Sequence, residues 1–159
     1  MTLQYERRDI ISGMIIYAAG DTVAALLLNE FVVWRLLGVM ALGGTVYAFE
    51  IPNYFNWIDR RTTADPSDMS RALRRTGLAL LYFNPLWIAR HLFFLHLFSG
   101  QWEAVGWSLL KTGALSWLFN IPLSALGNYI IQVKLPLRQR FLGSAIFSGL
   151  MAIYYALWK

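Results

Sequence analysis

The stretch Thr76–Phe98, TGLALLYFNPLWIARHLFFLHLF, constrains this chain more than any other. About 20 largely apolar residues span the hydrocarbon of a bilayer, and this run is that long while carrying Asn84-Pro85 and Arg90-His91 inside it. Hydrocarbon offers no partner to a guanidinium or a carboxamide, so such groups must face other protein or a wet cavity. The chain therefore needs further helices to enclose them.

The rest of the sequence supplies them. Hydrophobic residues make up 57% and charged residues 14%, against about a quarter charged in an ordinary soluble domain. The spacing predicts an all-α integral membrane helical bundle of about five transmembrane helices, several kinked at proline. The spans are Ile10–Leu28, Trp34–Ile58, Thr76–Phe98, Gly106–Val133 and Phe141–Trp158, forming one domain over residues 1–159. Met1–Asp9 is polar and the segment after it carries Asp21 without a clear cleavage site, so it reads as a retained first span and not as a signal peptide.

With five spans the termini lie on opposite sides. Ten of the fourteen Lys and Arg (Arg7, Arg8, Arg60, Arg61, Arg71, Arg74, Arg75, Lys134, Arg138 and Arg140) then fall on the N-terminal side. This bias predicts the N-terminus in the cytoplasm or its organellar equivalent and the C-terminus opposite. It also accounts for the net charge of +5 without nucleic acid, which is not an expected partner. Arg60 and Arg61 after the second span, and Arg71, Arg74 and Arg75 before the third, are expected to touch anionic lipid headgroups. Pro66-Ser67-Asp68 offers an N-cap for a helix that carries the latter three.

Several spans carry polar groups. Gly13, Tyr17, Gly20, Asp21 and Ala24 share one face of the first, a small-residue contact stripe interrupted by a carboxylate. Glu50 precedes Pro52 in the second, where a kink should free the carbonyl of Ala48. Pro85 releases the carbonyl of Leu81, with Asn84 at the break, and Asn120, Pro122 and Asn128 lie in the fourth span. At 1.5 Å rise per residue, Glu50 and Asn84 both fall at a depth of roughly 12 Å. Asp21, Asn120 and Arg90 fall between roughly 16 and 21 Å by the same rise. The expectation is two polar layers, Glu50 with Asn84 and Asn128, and an Asp21–Arg90 ion pair near Asn120. With His91 these residues form the candidate polar layer of a pore or cavity. The competing reading is structural glue fixing helix register.

Other chemistry finds little footing. There is no cysteine, so disulfides and thiolate sites are excluded. His91 and His96 diverge by about 140° around a helix and are poor joint ligands. No metal or cofactor is expected, and no GxSxG, GxxxxGK[ST] or GxGxxG occurs. The balance leans against an enzyme; a buried Glu50 or Asp21 beside His91 is the nearest catalytic idea.

Residue order also resembles a family of small organellar membrane proteins, that of Mpv-seventeen and the peroxisomal membrane protein of twenty-two kilodaltons. Gly20-Asp21 resembles the Gly-Asp of its first helix, and Trp57-Ile58-Asp59-Arg60 the end of its second. Pro85 stands at its mid-helix proline, and Pro122 with Asn128-Tyr129 resembles its Pro…Asn-Phe. Pro136 with Arg140 resembles the following Pro-xxx-Arg, and Tyr155 with Trp158-Lys159 its closing segment. Ala25, Ala48-Phe49 and Ala79-Leu80 replace the family's Gln, Gly-Pro and Asp-Gln. The resemblance implies a channel-like or solute-permeation protein of a mitochondrial inner, peroxisomal or bacterial inner membrane. Its partners would be membrane lipids, a small solute or ion, and further copies of itself. The alternatives are a non-catalytic interaction or assembly subunit, and a small intramembrane enzyme acting on lipid or quinone.

Overall fold

A computed structural model describes residues 3–157, which form an all-α chain of six helices. Helix α1 is Arg7–Leu27. Helix α2 covers 33–62 as Val33–Leu42, a π-helical turn Gly43–Tyr47, and Ala48–Thr62. Helices α3 (Asp68–Tyr82) and α4 (Pro85–Phe98) follow, then α5 (Ser108–Lys134, with its last turn Ile130–Lys134 π-helical) and α6 (Leu137–Leu157). The end of the fifth expected span, and Trp158-Lys159 of the resemblance, lie outside the described residues.

The helix ends follow from local chemistry. At the end of α1, Asn29 adopts φ 57°, its N–H donates to the Leu26 carbonyl, and the Glu30 N–H donates to Ala25. That is a Schellman motif with asparagine at the left-handed position. The end of α4 repeats it with Gly100 at φ 72°, whose N–H donates to Leu97 while Gln101 donates to His96. Helix α3 begins as its sequence suggests, with Ser67 Oγ accepting from Ser70 N–H at 3.1 Å.

The central stretch departs from the single kinked span expected for Thr76–Phe98. It is two helices meeting at 40°, because Asn84-Pro85 starts a new helix. Pro85 fits the first helical position, where its missing N–H costs nothing. Asn84 caps that helix by accepting from the N–H groups of Leu86 (2.8 Å) and Trp87 (3.0 Å). Its Nδ2 also donates to the Leu81 carbonyl at 2.9 Å, the acceptor that Pro85 leaves free.

Among the described residues, three helices are long and apolar enough to cross a membrane: α1, α5 and α6. The α3–α4 pair makes a fourth if counted as one broken span. The second expected span, which is α2, is not among them; Arg35 and Glu50 bracket its apolar run.

The chain divides into two compact units, one formed by residues up to Tyr54 with those from Arg138 onward, the other by Phe55–Leu137. In the first, α1 crosses two helices at glycines. A Cβ on Gly13 would overlap the Gly43 carbonyl oxygen of α2, and a Cβ on Gly20 would overlap the Gly149 backbone of α6. Backbone thus touches backbone, and the stripe Gly13, Tyr17, Gly20, Asp21 and Ala24 is buried along its length. The Tyr17 ring packs on Tyr47 with centroids 4.9 Å apart. The segment before α1 is tied to α2 as well: Asn53 accepts from the Gln4 N–H at 2.9 Å and donates to the Gln4 carbonyl at 2.7 Å. Tyr5 Oη donates to the Gly44 carbonyl at 2.8 Å within the π-helical turn.

In the second unit α5 packs against both α3 and α4. Gly113 lets α5 approach the start of α4, where an added Cβ would lie 2.6 Å from the Pro85 carbonyl oxygen. Phe83, at the break, meets Phe55 edge-on at 6.4 Å and Trp87 at 5.0 Å.

Candidate functional site

The α1 carboxylate Asp21 is 5% exposed, and its partner differs from the one that depth counting predicts. In place of Arg90 it is Arg35, whose Nε donates to Oδ2 at 2.8 Å and whose Nη2 donates to Oδ1 at 2.7 Å. This is a two-pronged fork on a carboxylate, the geometry for which guanidinium is built. Arg35 is itself 9% exposed, and its Nη1 lies 3.8 Å from Glu30. The arrangement follows from the α1–α2 turn: Asp21 lies six residues before the end of α1 and Arg35 two residues into α2. Because the chain reverses between the two helices, the positions differ along the axis by about 6 Å, within reach of an arginine folding back beside its own hairpin. Chemically, the pair is a closed charge couple joining two helices.

The other candidate residues have mostly local partners. The Asn84 amide is engaged at the helix break, as described. Asn120 Nδ2 donates to the Ser116 carbonyl at 2.8 Å and Asn128 Nδ2 to Ser124 at 2.9 Å, each one turn back on α5. His91 is half-buried and stacks on Trp87, with centroids 5.7 Å apart and planes inclined by 10°. Glu50 and Arg90 are half-buried on α2 and α4. The contacts that hold Asn120 and Asn128 are thus of α5 with itself, whereas those of Asn84 join the end of α3 to the start of α4.

Besides Arg35, one further residue escaped the sequence reading. Gln132, in the π-helical last turn of α5, is fully buried, and neither its Oε1 nor its Nε2 has a hydrogen-bond partner. Asn128, one turn earlier, is 2% exposed and its Oδ1 is likewise unpartnered. Unsatisfied amides are costly in an apolar setting, and π-helical turns recur at functional positions. Only the polarity of Gln132 within an apolar helix signalled it. Among the described residues no group of three or more His, Cys, Asp or Glu is placed to hold a metal.

The arginines expected at lipid headgroups divide. Arg75 donates to Asp59 at 2.5 Å and to Thr62 Oγ1 at 2.9 Å, Arg74 to Asp65 at 2.7 Å, and Arg71 to Asp68 at 3.0 Å. Arg61 lies over the Trp57 ring at 5.4 Å, and Arg60 is exposed.

No protein-family model matches the chain, and no curated protein or solved structure matches it significantly. The resemblance to the family of small organellar membrane proteins rests on the residues quoted for it.

Proposed function

We propose that this chain is a small integral membrane protein whose buried charges hold helices in register, serving as a non-catalytic interaction or assembly subunit. The observation that carries this is the distribution of polarity. The exposed sides of the long helices are apolar: Ile11, Ile15, Val23 and Leu26 on α1, and Leu115, Leu118, Phe119 and Leu126 on α5. Helix α6 adds Ile146, Leu150 and Leu157. Stripes of this extent would drive a soluble monomer to aggregate, whereas lipid solvates them. The one carboxylate deep in α1 is meanwhile closed on Arg35, so the charge is spent within the chain.

A permeation role, which the family resemblance implies, is the second reading. Gln132 and the Asn128 oxygen favour it, as buried polar atoms with no partner of their own. Proteoliposomes loaded with ions or small solutes separate the two. Under the assembly reading the wild-type chain gives no flux above empty vesicles, and Asp21→Asn lowers folded yield alone. Solute flux that Gln132→Met abolishes, with folded yield preserved, would overturn it in favour of permeation.

A further inference from the structure

Residues 59–75, where α2 ends and α3 begins, carry five arginines and three aspartates, and the structure matches three of each: Arg71 with Asp68, Arg74 with Asp65, Arg75 with Asp59. Arg75 also reaches Thr62, so α3 is tied back onto the last turn of α2. Two adjacent guanidinium groups remain. Arg60 and Arg61 are exposed on that turn, and among the described residues neither has a carboxylate or hydrogen-bond partner. Arg61 rests on the indole of Trp57, one turn earlier and half-buried. Uncancelled charge in this stretch is therefore concentrated at one place, beside an aromatic ring.

We propose that Arg60 and Arg61 form a binding site for the phosphate of an anionic phospholipid, with Trp57 marking the headgroup level. Guanidinium forks match phosphate oxygens in pairs, and a tryptophan beside them suits a boundary with one apolar and one wet side. A free anion would meet only two solvent-screened charges, since screening acts within about 8 Å at physiological salt. A lipid adds its own anchorage in the bilayer and a high surface concentration of phosphate. The division of labour is specific: Arg71, Arg74 and Arg75 hold the hairpin, and Arg60 and Arg61 bind. This inference rests on the membrane reading above.

The full chain, placed in nanodiscs of phosphatidylcholine alone or mixed with phosphatidylglycerol, tests it by the phosphatidylglycerol retained after transfer to detergent. Each of Arg60→Gln and Arg61→Gln is expected to lower retention about fivefold, the usual worth of one arginine at an anionic surface. The paired change Asp65→Asn with Arg74→Gln removes an ion pair without altering net charge and should leave retention unchanged. Equal retention by wild type and the Arg60→Gln/Arg61→Gln variant overturns the proposal. So does displacement of the lipid by inorganic phosphate at matched concentration, which would mark the site as one for a soluble anion. A chain that does not enter the discs at all refutes the membrane reading and this site with it, whereas one that enters without preference refutes the site alone.

Discussion

Removing one member of the Asp21–Arg35 pair should be far worse than removing both. Asp21 and Arg35 are 5% and 9% exposed and joined through two hydrogen bonds of 2.8 and 2.7 Å. Asp21→Leu would strand a guanidinium and Arg35→Met would strand a carboxylate; an uncompensated buried charge costs about 3–5 kcal/mol. Replacing both by apolar groups of similar bulk removes the desolvation penalty with the attraction and is often close to neutral. Glu30, 3.8 Å from Arg35 and more exposed, softens the loss of Asp21, so Asp21→Leu should be the milder single change. Equilibrium unfolding of the purified chain in mixed micelles gives the four corners of the cycle. The expected result is two destabilised single variants and a double variant near wild type, with a coupling energy of at least about 2 kcal/mol. A double variant as destabilised as the two singles added together would refute the reasoning.

Four further outcomes follow from the packing and the helix caps. Gly20→Ala should destabilise by about 1–3 kcal/mol, because its Cβ would collide with the Gly149 backbone. Gly77→Ala, with nothing within 4 Å, should stabilise by roughly 0.5–1 kcal/mol, and thermal unfolding of both variants checks the contrast. Gln132→Met should raise stability by about 1 kcal/mol or more, since it removes two unsatisfied buried atoms at little change in volume; a clear loss would place hidden partners on the amide. Asn84→Ala should cost about 1–2 kcal/mol by uncapping α4, and Asn84→Asp should restore most of it by keeping the accepting oxygen, as read by unfolding midpoints.

Much of the architecture was legible in the residues. Apolar run length placed the long helices, the α1 stripe named its own buried face, and Pro66-Ser67-Asp68 announced the start of α3. The site was less so. Depth counting takes each side chain to lie level with its own Cα, and that assumption hid Arg35, which reaches back along its hairpin to Asp21. Apolar continuity likewise overrode the plain capping signal of Asn84-Pro85, so a helix start was taken for a kink. The two π-helical turns have no composition of their own, so polarity within an apolar helix was the one sign of Gln132.

The central claim is that the apolar stripes face lipid while the deep charge stays inside the chain. Because the sequence has no cysteine, a single one introduced at Ile15, Phe119 or Leu150 carries a unique spin label. In liposomes, labels at all three positions should collide freely with oxygen and poorly with a water-soluble nickel complex. Labels that meet the nickel complex as readily as they meet oxygen would contradict the account.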